Sequence, residues 1–495
     1  MAKTIKMTMM MMAITKYGDF NMYYNQVILI TGVETAKVEG VTPAAVPTVS
    51  EPRPERGTHC VVGGAHAFIL RISSFFGLAP LRFESHSNGF TVNLSGAMCV
   101  YSYILVTVLV ICTIFGLVAE INVGVEMSVR MSTKTSQVVS TCDVLVVVAT
   151  AGAGVYGAPK RMRNMLKFME NVASVDNSIG GQYSVVTERK LCVIILAILM
   201  FFTILIADDF TFYVLQAKEL DREWNVVTNY IGFYLLWLVV MVLELQFAFT
   251  ALSVRARFSA VNDALAITAR HVSVPVEKPK SASPLNIYAI RVAPANSQRS
   301  ANVSLLVDSL TSREQVVVIK RTASGEPRLI VSPCDAVRRL ASLHGILCGV
   351  VKRIDDSYGL PLIVVLLSTL LHLIVTPYFL IMEIIVSTNR VHFLVLQFLW
   401  CVTHMLRMIV VVEPGHYTIA EGKRTEGLIC RLMAAAPSTG VLPSRLELFS
   451  RQLLLQSVSY APMGMCTLSR PLMASIIGAV TTYLVILIQF QRYDS

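Results

Sequence analysis

LPLIVVLLSTLLHLIVTPYFLIMEIIV, residues 360–386, carries a single carboxylate, Glu383, and a single imidazole, His372, in an otherwise uncharged run. At about 1.5 Å of rise per residue it is long enough to cross a hydrocarbon core of roughly 30 Å as a helix. Six further stretches read the same way: Leu94–Leu117, Val138–Ala158, Leu191–Ala207, Val226–Thr250, Val391–Val412 and Leu472–Gln489. The expected fold is all-α, a bundle of seven transmembrane helices.

Cutting the chain at these stretches leaves eight segments whose Lys and Arg counts alternate 8, 2, 6, 2, 15, 1, 6 and 1, so that 35 of the 42 fall in every second segment. Basic loops resist translocation, which places the amino terminus and the long 251–359 loop in the cytoplasm and the carboxyl terminus outside. That orientation is the reverse of a G-protein-coupled receptor. Long loops count for less in this rule, yet the three other inside segments still outnumber the outside ones 20 to 6.

The 495 residues are 54% hydrophobic and 15% charged, with mean hydropathy +0.61, which excludes an ordinary soluble multidomain protein. The net charge of +10 lies in loops flanking the spans, where anionic lipid attracts it, so membrane lipid rather than nucleic acid is the expected partner. Cys99, Cys112, Cys142, Cys192 and Cys401 fall in spans, and Cys60, Cys334, Cys348, Cys430 and Cys466 in cytoplasmic segments, so no disulfide framework is expected. The sequons at Asn93 and Asn302 face inward and should stay unglycosylated. No signal peptide is evident, leaving the first span to direct insertion.

Along the chain, residues 1–65 read as a disordered extension rich in Pro, Glu and Gly. Residues 66–250 hold an interfacial amphipathic segment (His66–Phe83) and spans one to four. The loop 251–359 divides into a helical continuation of span four, a Pro- and Ser-rich disordered insert over 273–300, and a helix over Pro333–Asp356. Spans five and six fill 360–412, a cytoplasmic segment with a helix over Pro443–Tyr460 fills 413–470, and 471–495 is span seven with a short outer tail.

Ionisable groups inside spans are costly and usually functional. Asp143, Glu244, Glu383, Arg407, His372 and His404 are therefore the candidates. His372, Thr376, Phe379 and Glu383 share one helical face of span five; Gln397, Trp400, His404 and Arg407 share one face of span six. With Tyr234 and Trp237 of span four, and with Asp143 and Asp208, they fall at one outer depth and combine hydrogen-bonding groups with flat rings. A small polyol or sugar fits such a cavity. The alternative is that these groups merely satisfy one another between helices. Pro377 would bend span five beside the cavity.

No metalloprotease, nucleophile-elbow or phosphate-loop motif occurs, and the histidines are not paired at metal-ligand spacing, so neither an enzyme, a metal site nor a cofactor is expected. The last span, LMASIIGAVTTYLVILIQFQRYDS, repeats polar groups at Ser475, Thr482 and Gln489, a faint stripe suited to lining a pore shared by several copies.

Its Thr482-Tyr483, five apolar residues and Gln489-Phe490 resemble the signature that closes insect gustatory receptors. Gly77-Leu-Ala-Pro80 before span one and the DSYGL entry to span five, Asp356–Leu360, are similar to that family too, and the resemblance covers roughly 66–495. DSYGLPLIVVLLSTLLHLIVTPYFL and TTYLVILIQFQ look most like its fructose-responsive branch. The resemblance implies a ligand-gated, nonselective cation channel of four subunits, alike or mixed with other gustatory receptors, in the plasma membrane of chemosensory neurons. Thr482, Ile486, Gln489 and Phe490 would line or gate the pore. The sugar, fructose, would lie against Trp237, Tyr234, His372, Thr376, Phe379, Gln397, Trp400, His404, Asp208 and Glu383. Its rivals are a channel for another tastant such as a bitter compound, a metabotropic seven-helix receptor, which requires the opposite orientation, and a secondary transporter, which an odd span count without internal repeats disfavours.

Overall fold

The computed structural model describes residues 60–62, 64–86, 89–124, 127–131, 134–179, 182–273, 319–321, 327–329, 331–386, 391–436 and 440–494. The extension before residue 60, residues 274–300 of the insert expected over 273–300, and Asn302 lie outside the described residues.

The chain is nearly all helical, with ten α-helices among the described residues: α1 Gly64–Phe75, α2 Gly96–Val123, α3 Lys134–Tyr156, α4 Ala158–Ile179, α5 Gln182–Lys218, α6 Glu223–Ser273, α7 Pro333–Val386, α8 Val391–Ala435, α9 Leu442–Leu455 and α10 Arg470–Asp494. Seven of them, α2, α3, α5, α6, α7, α8 and α10, are long and apolar enough to cross a membrane.

The entry to the first span departs from the sequence reading. The expected amphipathic stretch to Phe83 ends at Phe75, where Gly77 takes φ +74° and the Leu78 amide turns back to the Ser73 carbonyl at 2.8 Å. Glycine meets that left-handed turn without a Cβ penalty. Next comes a hairpin of β2, Leu81–His86, and β3, Gly89–Leu94, with β1, Cys60–Val62, added on β3's other edge. Phe83 and Phe90 on the hairpin face Arg71 of α1, whose guanidinium lies 4.0 Å over the Phe90 ring. Alternation over so short a run is masked by the helical spacing it shares with α1.

The helix α6 is the central post, buried along most of its apolar stretch and packed against α1 to α5, α7 and α8. It continues past the expected span end, as do α7 and α8, so that their distal halves form a helical layer with α4 and α9. The separate helix expected over 333–356 is continuous with span five, because Pro361 costs α7 only one amide bond and bare Gly359 lets Met463 close to 3.2 Å from where a Cβ would stand. At the other end α2 leads into α3, α5 into α6 through the turn at 219–222, and α7 into α8.

Two buried cations brace the helical-layer end. Arg161, 1% exposed, donates to the carbonyls of Gly154 at 2.8 Å and Leu78 at 2.9 Å, tying the α3–α4 bend to the chain before the hairpin. Burial lowers its pKa, opposed by the Tyr358 ring 5.1 Å away. Arg257 on α6 binds Asp176 of α4 at 2.7 Å and Glu188 of α5 at 2.5 Å, and His66 of α1 reaches the same Glu188 at 3.3 Å.

The helices α2 and α6 cross at Gly116, where an added Cβ would fall 2.0 Å from the Asn229 carbonyl oxygen. Gly116→Ala must push two helices apart and should cost about 3 kcal/mol or more. Thermal unfolding of the purified protein in detergent checks this: an unchanged midpoint would mean the two backbones do not meet there.

Candidate ligand cavity

A cavity of about 470 Å³ opens between α3, α5, α6, α7 and α8 at the end with the short turns. Its size falls in the roughly 300–1,000 Å³ range of small-molecule pockets. Of the residues singled out from sequence, Tyr234, Trp237, His372, Thr376, Phe379, Glu383, Gln397, Trp400, His404 and Asp143 all line it. Asp208 does not: its carboxylate stands 3.7 Å from His392 on the exposed side of α5, and the next residue, Asp209, faces the cavity instead.

The floor is a chain of polar contacts that begins deep in the bundle. Arg407, 0% exposed, lays its guanidinium on Glu244, with Nη2 to Oε1 at 2.6 Å and Nε 3.2 Å from both carboxylate oxygens. The same guanidinium sits 4.7 Å over the Trp237 ring. Its Nη1 points at His404 Nδ1, 3.4 Å away, and the His404 ring stacks on His372 at 4.7 Å between centroids. His372 reaches Asp143 Oδ1 through Nε2 at 2.7 Å and the Ser368 carbonyl through Nδ1 at 2.5 Å. Asp143 closes the chain on Arg130 at 2.8 Å. Five segments, the α2–α3 turn, α3, α6, α7 and α8, are thereby joined by one run of polar contacts with an ion pair at each end.

The walls are aromatic. Trp237 and Trp400 lie 5.6 Å apart, Trp400 stacks on His404 at 5.5 Å, and Phe233, Tyr213, Phe379 and Phe393 complete the lining. Asp209 is held by neutral donors, Tyr234 Oη at 2.5 Å and Trp400 Nε1 at 3.2 Å. Sequence reading missed Arg130, Asp209 and Tyr213. Arg130 sits in a turn and carries no helical periodicity, although a lone Arg in a segment read as translocated was a usable signal.

Arg130 caps the mouth, its guanidinium 4.7 Å over Phe233 and within 5.7 Å of Tyr213 and Tyr230. Burial alone would lower its pKa, but the facing Tyr234 phenol and Asp143 carboxylate hold it above the ordinary arginine value. The Arg130 Nη1 atom has no hydrogen-bond partner among the described residues. Arg407 with Glu244 and Arg130 with Asp143 are thus ion-paired, while Asp209 keeps neutral partners. Among the described residues no group of three or more His, Cys, Asp or Glu side chains is placed to hold a metal ion.

The helix α10 lies apart from this cavity, against α7 and α8, and none of its most apolar stretch is buried. Thr482, Tyr483, Ile486 and Gln489 are exposed on it. The Thr482 hydroxyl donates to the Gly478 carbonyl at 3.0 Å and the Ser475 hydroxyl to Pro471 at 3.0 Å, so the stripe offers hydroxyl oxygens rather than free protons. The side chain of Phe490 falls outside those described.

The sequence pattern of the 7tm chemosensory receptor family matches residues 66–493. The chain is 30% identical over 433 residues to the gustatory receptor for sugar taste 43a of Drosophila melanogaster, an alignment spanning 86% of this chain and 97% of that one. Its fold is similar to the insect olfactory receptor OR5 from Machilis hrabei, with TM-score 0.56 at 11% identity over 86% of this chain and 97% of the other, and to the same receptor in complex with eugenol, with TM-score 0.55.

Glu244→Ala would strand the Arg407 guanidinium without a counter-ion and should cost about 3–5 kcal/mol, whereas replacing both partners by leucine should restore most of that loss. Folded yield by fluorescence-detected gel filtration separates the two, and a double variant no better than Glu244→Ala would refute the pairing as the source.

Proposed function

The chain belongs to the insect gustatory receptor family of seven-transmembrane chemosensory receptors, and from that premise we propose a ligand-gated, nonselective cation channel opened by a small sugar, fructose, held in the cavity beside Trp237. It is a receptor and not an enzyme, and a multi-pass membrane protein. The plasma membrane of chemosensory neurons is the proposed setting.

The observation that carries the sugar reading is the presence of two neighbouring indoles, Trp237 and Trp400, in one lining with the hydrogen-bonding groups of Gln397, Thr376 and His404. A pyranose or furanose ring presents C–H faces to indoles and hydroxyls at its rim. The similarity to a receptor for sugar taste supports the same reading. Fructose over other sugars follows from the resemblance of spans five and seven to the fructose-responsive branch. Tyr234, Phe379 and Glu383 complete the proposed contacts, with Asp209 taking the place expected of Asp208.

In the proposed mechanism four subunits, alike or mixed, place α10 around a central pore lined by Thr482, Ile486, Gln489 and Phe490, with the amino terminus cytoplasmic and the carboxyl terminus outside. Ligand opens the pore only to the extent that it binds the open arrangement more tightly than the closed one. The helix α7 joins the two sites, since His372 and Thr376 line the cavity and Gly359 of the same helix packs on the segment that leads into α10.

Currents from cells expressing this chain alone should appear with fructose, and Gln397→Ala should raise the half-maximal sugar concentration about tenfold, the loss of one or two hydrogen bonds of roughly 1 kcal/mol each. Silence to fructose with responses to alkaloids would replace the sugar with a bitter tastant. A carboxyl-terminal tag reached only after permeabilisation would favour a metabotropic receptor.

A further inference from the structure

A second, much smaller cleft lies on the opposite flank of α6, between α1 and α5, lined by Ile69, Ile72 and Ser73, by Ile195 and Leu199, and by Val242, Leu245 and Gln246. Gln246 is 1% exposed, and neither its amide nitrogen nor its amide oxygen has a hydrogen-bond partner among the described residues. A carboxamide buried in an apolar wall keeps its full desolvation cost until something bonds to both atoms. The other polar group of the wall is Ser73, whose hydroxyl proton is spent on the Ile69 carbonyl at 2.9 Å.

The free space is about 10 Å³, room for one water-sized group and no more. A phospholipid headgroup or a sugar is excluded by size. The cleft is not sealed: Ile72 and Leu199 at its edge are half-exposed, and beyond them Phe68 of α1 and Ile194 and Met200 of the span α5 are exposed. A ligand that enters from this side puts one small polar group against Gln246 and carries an apolar body along the exposed surface of α1 and α5. A single hydroxyl satisfies both amide atoms, donating to the oxygen and accepting from the nitrogen.

We propose that this cleft is a sterol site, in which the lone hydroxyl of a membrane sterol binds the Gln246 carboxamide and the ring system packs on α1 and α5 beside Ile72 and Leu199. It is independent of the sugar cavity, from which α6 separates it. A sterol bound there bridges the pre-membrane helix α1 to the post on which the bundle is built.

The test uses the full-length receptor in nanodiscs with or without cholesterol, and a photoreactive cholesterol probe mapped by mass spectrometry. Wild type should label on α1 or α5 near Ile72 and Leu199, and unlabelled cholesterol should compete whereas the 3-deoxy sterol should not. Gln246→Leu should reduce labelling severalfold and abolish the rise in thermal midpoint that cholesterol gives wild type. Ile72→Trp, which narrows the mouth and keeps the amide, should do the same if Gln246→Leu folds poorly. Labelling unaffected by either substitution, equal competition by the deoxy sterol, or a Gln246→Leu protein stabilised equally with and without cholesterol, as expected if a single water served the amide, would each overturn the proposal.

Discussion

A guanidinium buried to 0% exposure in a helical bundle has to be met by a carboxylate, and Arg407 on Glu244 is the contact that orders everything above it. Left alone, either charge would cost about 3–5 kcal/mol, a large share of the roughly 5–15 kcal/mol that keeps a domain folded. Paired, they fix the rotation of α6 against α8, and that rotation brings Trp237, Trp400 and His404 to one wall. The polar chain then extends through His372 to Asp143 and Arg130, each member spending the bonding capacity of the last. The cavity is what remains once these charges have been satisfied by one another rather than by water.

The seven spans and two polar faces were legible in the sequence because both rest on strong periodic signals: a run of apolar residues set by bilayer thickness, and spacings of three and four set by helix pitch. The meeting of span four with spans five and six was legible from the outer depth that Tyr234 and Trp237 share with the two polar faces. What escaped has local causes. Asp208 and Asp209 are adjacent, so choosing between them needs the helix rotation to within about 100°, and no other charged residue between Lys190 and Lys218 fixes it. Arg130 lies in a turn, where no period applies. The β2–β3 hairpin hides because Leu81, Phe83 and the residues beyond alternate over too few positions to be told from the end of an amphipathic helix. Gln246 stands in an apolar run, and only burial and the absence of partners among the described residues distinguish it from an amide facing a neighbouring helix.

Pro361 and Pro377 illustrate how a correct local rule can be outweighed. Each removes a hydrogen bond and would end a helix in water. In α7 both are tolerated within one continuous helix of 54 residues. Within a bilayer the neighbouring helices leave little alternative to helical backbone, so the cost of one missing bond is smaller than the cost of freeing several. The result is a single rod from the cavity beside Trp237 to the helical layer, with Tyr358 packed on Phe247 and Gly359 on Met463 at its waist.

That rod bears on how a small ligand can act at a distance. The cavity and α10 share no wall, so a change at Trp237 must travel through an element that both touch. The helix α7 is in contact with each, and α10 is held to the bundle by α7 and α8 alone among its main partners, with Arg470 at its start paired to Glu413 of α8 at 2.9 Å. A helix with one face on two rods and the other exposed can change its packing at low cost, whereas α6, buried along most of its apolar stretch, cannot. Motion is therefore expected to divide the molecule at the α7–α8 pair, with the ion-paired post static and α10 following the tilt of its two supports. A ligand that draws α7 toward α8 across Trp237 would shift that tilt without breaking any buried charge, which is the least costly route the packing leaves open.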